Sequence, residues 1–150
     1  MVLVGSGLAI APAATAGGEV RQEEHCVVRV VGIKPSGELI TTKPECSTTR
    51  AAAMARATQR GQLSSFAIGI HFDGASFTGD TFTVVGDDCT GGWLNLSAAW
   101  INRVSSTLHG CPRIRHFDGY NLTSSFQTTN WPGGNLTALN NATNSIQYLP

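Results

Sequence analysis

His71 and Asp73 stand two residues apart, and the pair returns as His116 and Asp118 inside a repeated tetrapeptide, His71-Phe72-Asp73-Gly74 and His116-Phe117-Asp118-Gly119. An imidazole and a carboxylate two places apart on a strand share a face, and with a serine hydroxyl they would make a hydrolytic triad. The chain is rich in serine but has no G-x-S-x-G elbow, and Gly74-Ala75-Ser76-Phe77-Thr78 lacks the second glycine of that strained turn. A pair present twice also suits a repeated structural role better than one catalytic centre. The expectation is no enzyme, with the histidines satisfied at strand ends.

The other reactive residues are four cysteines, Cys26, Cys46, Cys89 and Cys111. No C-x-x-C occurs, and no His or Cys lies at a zinc-ligand spacing from another, which argues against a thiolate metal site. An even number in an oxidising compartment points to disulfides, with three possible pairings. Pairing Cys26 with Cys46 and Cys89 with Cys111 staples a segment within one unit each time. Each bridge closes a loop of around twenty residues, a stabilisation of about 3 kcal/mol on the chain-entropy model. Trp93, Trp100 and Trp131 admit a carbohydrate platform, but large aromatics near strand ends of a small β-domain more often pack. Asn95-Leu96-Ser97, Asn121-Leu122-Thr123, Asn135-Leu136-Thr137 and Asn141-Ala142-Thr143 are formal glycosylation sequons. Gly5-Ser6-Gly7 and Gly133-Gly134 lack the strand-loop-helix setting of a phosphate cradle.

Ten basic and ten acidic residues leave no net charge in 150 residues, so the basic stripe of a nucleic-acid binder is missing. Every Glu and both Lys lie at or before Glu45, and every Asp at or after Asp73. Two segments of different character therefore join between Cys46 and Phe66. Val2 to Ile10 is nearly all apolar or small, with Pro12 and Ala14-Thr15-Ala16 after it. That is the pattern of a secretory signal, residues 1–16, cut after Ala16; it is too short to span a bilayer. The expected location is extracellular, with no membrane span in the mature chain.

These residues need elements to hold them. Cys26 to Val31 is β-branched and predicts a strand, with Leu39 to Thr42 as its partner across a Pro35-Ser36-Gly37 turn. Ser47 or Thr48 caps a helix through Arg50 to Ala57, stopped at Gly61, with Arg56 and Arg60 suiting its C-terminal dipole. Residues 17–64 thus form a hairpin-helix extension leaning on a larger β-domain over 65–150. From Phe66 the period is two, putting Phe66, Ile68, Ile70 and Phe72 on one buried face, and Thr81 to Val85 is a second strand. In the second copy Arg113 and Arg115 match Ile68 and Ile70. Its strand therefore lies at a sheet edge, or the repeat begins only at His116.

Self-similarity extends beyond the tetrapeptide. Each aromatic is followed five places on by Phe77 or Leu122 and seven places on by Gly79 or Ser124, and each passage ends in an Asn/Ser cluster, 102–106 and 140–145. Phe72-Asp73-Gly74-Ala75-Ser76-Phe77-Thr78-Gly79, followed by such a loop, resembles the Greek-key motif of the βγ-crystallin superfamily, above all its exported microbial members. The resemblance covers residues 65–150. It implies an all-β, two-motif Greek-key sandwich preceded by a small disulfide-closed hairpin and a short helix. Ser124 in place of the hairpin glycine implies a second hairpin held differently, since a positive φ prefers Gly.

The resemblance also implies a pair of calcium sites. In that family the loop signature is two Asn/Asp, two arbitrary residues, then Ser/Thr and Ser. Carried over, Asn102 and Ser105 belong to one site and Asn140, Asn141 and Asn144 to the other, with backbone oxygens around Asp73 and Asp118. Ile101 offers no oxygen and weakens the first. Calcium takes six to eight oxygens, and loops without a carboxylate of their own imply dissociation constants of roughly 10⁻⁴ M or poorer. Asn and Ser in loops also form turns by bonding the backbone, so the loops equally suit a fold that has lost the ion. The leading expectation is a monomeric, secreted calcium-binding module. The alternatives are a secreted inhibitor of metallopeptidases, using the loop from Gly86 to Trp93 around Cys89, and a structural or cell-wall domain.

Overall fold

A computed structural model of the chain describes residues 21–58 and 65–150. The signal segment 1–16, the start of the extension and the Gly61 helix stop lie outside the described residues. The strands are β1 (His25–Ile33), β2 (Leu39–Thr41), β3 (Glu45–Ser47), β4 (Phe66–Phe72), β5 (Thr81–Gly86), β6 (Trp93–Asn95), β7 (Ser106–His109), β8 (Arg113–Phe117), β9 (Phe126–Asn130), β10 (Gly133–Asn135) and β11 (Ser145–Leu149), with one α-helix, α1 (Arg50–Thr58). The protein is mostly β. One sheet runs β10-β7-β4-β5-β1-β2, with β3 also on β1, and the other runs β6-β11-β8-β9.

The repeat shows in that order. Copy one supplies β4 to β7 and copy two β8 to β11. In each copy the first, second and fourth strands stay together while the third crosses to the other copy's sheet. Val28, Ile68, Phe82 and Val84 from one sheet meet Leu94, Ile114, Ile146 and Tyr148 from the other, and Trp100, Val104 and Leu136 close the core.

The hairpin of β1 and β2 turns at Gly37, whose φ of 86° only glycine adopts freely. Cys26 is bonded to Cys46 and Cys89 to Cys111. The extension is continuous with the larger sheet, because β1 pairs in parallel with β5 from His25↔Thr81 to Arg29↔Val85. The cap of α1 is Thr49, whose Oγ1 accepts from the Ala52 N–H, whereas Ser47, one of the expected caps, is taken into β3. The helix lays Ala53 and Ala57 on Val27 and Val85 at the outer face of the sheet. Covered on both faces there, β5 is buried at all six positions.

Two expectations about the first strands of the copies need correction. In β4, His71 is fully buried and faces His116 across the sandwich. Gly69 lies beside it, where a Cβ would come within 2.7 Å of Tyr148 and 2.9 Å of Ile114. Ile68 reaches the core where the register slips between Ala67 and Gly69, while Ile70 is only half-buried and Phe66 is exposed. Phe72 is covered instead by Phe77 of its own hairpin and by the Arg50 guanidinium. The second copy's strand is not an edge: β8 lies between β11 and β9. Its arginines occupy the outer face, Arg115 over the Phe126 ring and Arg113 bonded to the Pro150 carbonyl.

Candidate metal centre

Each tetrapeptide opens a folded hairpin of the same construction. Gly74 N–H donates to the Thr78 carbonyl and Gly119 N–H to that of Thr123, so close that a Cβ on either glycine would meet its threonine Oγ1 within 2.4 Å and 2.3 Å. A tight turn follows in each, Ala75–Phe77 and Tyr120–Leu122, with its last two residues at positive φ. The last serine of each Asn/Ser cluster then locks the hairpin to the sheet. Ser106 Oγ donates to the Gly74 carbonyl at 2.7 Å and accepts from the Phe77 N–H; Ser145 Oγ donates to the Gly119 carbonyl at 2.6 Å and accepts from the Leu122 N–H. Both serines are fully buried. Their role was present in the sequence as the serine that closes each Asn/Ser cluster, but they read there only as loop residues. The second hairpin is held like the first, contrary to expectation: Ser124 adopts φ 68° where Gly79 has 82°.

The Asn/Ser loops bind each other. Asn102 N–H donates to the Thr143 carbonyl and Asn141 N–H to that of Val104, while Ser105 N–H reaches Phe72 and Asn144 N–H reaches Phe117. Asn102 and Asn141 sit at φ 57° and 56°, a region that Asn tolerates better than most residues. This crossing regroups the candidate ligands. Asn144 Nδ2 donates to the Asp118 carbonyl and, at 3.3 Å, to Asn102 Oδ1. In the matching place Ser105 Oγ donates to Asn141 Oδ1 at 3.0 Å. The within-loop partnership of Asn102 with Ser105 is therefore replaced by one across loops, and Asn140 takes no part in these side-chain bonds.

The two groups differ in charge. Beside Ser105 and Asn141, the Asp73 carboxylate is committed: Oδ2 to Arg103 at 2.7 Å and Oδ1 to the Asp80 N–H at 2.8 Å. Arg103 also holds Asp80 at 2.9 Å and stacks on Trp100. Burial works to raise the Asp80 carboxyl, but the Glu24 N–H, Arg103 and Arg21 outweigh it and hold it below the usual range. The second copy has Ala142 in place of Arg103 and Ser125 in place of Asp80. Asp118 is exposed there, and its side chain bonds no other described residue.

Fit to a hard cation follows from the donors. Asn102 Oδ1, the Asp118 carbonyl and the Asn144 amide converge, and rotating that amide by half a turn presents oxygen in place of nitrogen. Three neutral oxygens near an uncommitted carboxylate suit a weak calcium site completed by water. The Ser105–Asn141 group fits less well, because the carboxylate of its own copy, Asp73, is already held by Arg103.

The histidine and aspartate pairs do not work together: Asp73 bonds Arg103 while His71 turns to Tyr148 and Thr107, and His116 is fully buried while Asp118 is exposed. His71 Nε2 shares a hydrogen bond of 2.9 Å with the Tyr148 hydroxyl, and its Nδ1 lies 3.2 Å from Thr107 Oγ1. His109 meets Thr129 Oγ1 at 2.8 Å. Neither ring nitrogen of His116 has a well-formed hydrogen bond, which departs from the expected satisfied histidine. Burial, then His109, lowers the His116 pKa to about 3 against a weaker pull from the Gln127 backbone. Burial lowers His109 to about 4, and burial, His116 and His109 push His71 well below its usual value. Trp100 is buried, Trp93 donates its indole N–H to the Ser36 carbonyl, and Trp131 is exposed. No helix among the described residues is long and apolar enough to cross a membrane.

No family model, no curated protein and no solved structure matches this chain.

Proposed function

We propose that this chain is an exported, non-enzymatic, two-motif Greek-key domain of βγ-crystallin type that binds calcium weakly and gains stability from it. The support for the fold is the exchange of third strands between copies and the identical locking of both hairpins by Ser106 and Ser145. The observation that carries the function is the convergence of Asn144 on Asn102 Oδ1 and the Asp118 carbonyl. Two disulfides agree with an oxidising compartment. Ion binding to the folded state alone stabilises by RT ln(1 + [L]/Kd), about 2.7 kcal/mol at a hundredfold excess over Kd.

The test is a thermal melt in excess chelator and then in 10 mM calcium, with magnesium as control. The expected rise is roughly 5–10 °C with calcium alone. Asn144→Ala abolishes it, and Ser105→Ala leaves most of it. No rise in the unsubstituted protein overturns the calcium reading.

The second reading, a secreted metallopeptidase inhibitor, draws on the loop after β5. Cys89 is bonded to Cys111, Gly91 N–H donates to the Tyr148 carbonyl, and the Gly92 carbonyl accepts from Tyr148. A loop so pinned presents Asp87, Asp88 and Thr90 at the surface. A panel of secreted peptidases assayed with micromolar protein decides it, and no inhibition leaves the structural domain as the remaining alternative to calcium binding.

A further inference from the structure

A groove of 260 Å³ lies between the β1–β2 hairpin and the loop after β5, lined by Val30, Leu39 and Ile68 within and by Asp87, Asp88 and Thr90 at its rim. Val31 and Ile33, also in its wall, are more than half exposed, an apolar surface at the mouth of the groove. The space is smaller than the roughly 300–1,000 Å³ of sites for drug-sized ligands, so it suits one or two side chains.

Among the described residues the charge on this rim has one sign. Asp88 Oδ1 accepts from the Thr90 N–H and hydroxyl, and among the described residues neither its other oxygen nor the Asp87 carboxylate has a side-chain bond. The described residues of the lining include no base. Lys34, next after Ile33 in the chain, is held by Glu38 at 2.7 Å. The walls are fixed in advance: the Cys89–Cys111 bridge and the Gly91–Tyr148 bond hold the acidic side, and the Lys34 and Gly37 backbone bonds hold the hairpin. A preformed groove loses little freedom on binding.

We infer that this groove docks a basic peptide segment of a partner protein, in which an aliphatic residue adjoins a lysine or arginine. The aliphatic side chain covers Val30, Leu39 and Ile68, and the cation meets Asp87 and Asp88. A long basic side chain adds to the apolar contact through its own stem.

The test uses the full disulfide-bonded chain in excess chelator, so that calcium does not compete for the carboxylates. The probes are Ac-Gly-Ile-Lys-Gly-NH₂, the same peptide with Glu for Lys, and the same with Gly for Ile. Amide shifts in a ¹⁵N spectrum report the site. The expected result is saturable movement of Gly32, Ile33, Gly86, Asp88 and Thr90 with the Ile-Lys peptide, at least fivefold weaker binding of both other peptides, and weakening in 0.5 M salt. Asp87→Asn with Asp88→Asn weakens the Ile-Lys peptide at least fivefold; the second of these substitutions keeps a side-chain oxygen for Thr90, so the loop stays folded. Val31→Lys, at an exposed position, weakens it similarly. No movement at these amides, equal binding of the Glu peptide, or insensitivity to the double substitution overturns the inference. So does movement of the same amides on raising protein concentration without peptide, which assigns the face to a second copy of the chain.

Discussion

Ser124 carries the clearest energetic statement of any single residue. A left-handed backbone costs an L-residue about 1–2 kcal/mol, and glycine at the same place gives back about 0.5–1 kcal/mol through its freer unfolded state. Ser124→Gly is therefore expected to stabilise the protein by about 0.5–1 kcal/mol, read as a higher denaturant midpoint at unchanged slope. The reverse experiment at the matching position is Gly79→Ala. It destabilises by more than the backbone strain alone, because the new Cβ would lie 2.2 Å from Asp73 Oδ1 and break the carboxylate's bond to the Asp80 N–H. The tetrapeptide, the Asn/Ser clusters and the glycines were legible at this scale because each is a local, repeated requirement. The orphaned His116 was not, since an alternation of residue types does not say which face of a strand meets the other sheet.

Among elements, β1 decides whether the extension is an appendage. It supplies Val27 to the layer under α1 and Val28 to the inter-sheet core, both buried, and burying each is worth roughly 1.5–3 kcal/mol. A chain cut to residues 65–150 loses both and leaves β5 with a bare edge. Its expected melt lies at least 10 °C below that of the whole chain. An unchanged cooperative melt would make the extension a separate unit. The disulfide pairs and the Pro35-Ser36-Gly37 turn could be read from spacing because they join near neighbours in the chain. The parallel pairing of β1 with β5 joins residues more than fifty places apart, and no local pattern encodes it.

Taken whole, the molecule is a sandwich with three histidines inside. His71 and His109 come from one sheet and His116 from the other, with the Tyr148 hydroxyl among them, and among the described residues no carboxylate balances a charge there. Their folded pKa values lie below the ordinary 6.5, so the unfolded chain binds more protons below that pH. Stability is full above about pH 6.5 and falls as pH drops toward the folded values. Three sites give a limiting slope of about 4 kcal/mol per pH unit near pH 5. Asp80 adds loss below its ordinary 3.8, and Tyr148, raised by burial, adds loss above pH 10. Urea unfolding at pH 7, 6, 5 and 4 measures the slope, and His116→Phe is expected to flatten it by about a third. A flat profile through this range would contradict charge exclusion from the core.

The sequence by itself determined the β character, the duplicated hairpin, the preference for pairing neighbouring cysteines and the oxygen-bearing loops, because these depend on residue type and on spacings of a few to some twenty residues. Tertiary structure alone decided that each copy lends a strand to the other. That exchange sets Asn144 against Asn102, and the packing of the two sheets turns two histidine strands inward to face each other. The physical reason is that hydrogen bonds between strands and the charge around a site are made by residues distant in the chain, whose meeting depends on how the sheets close.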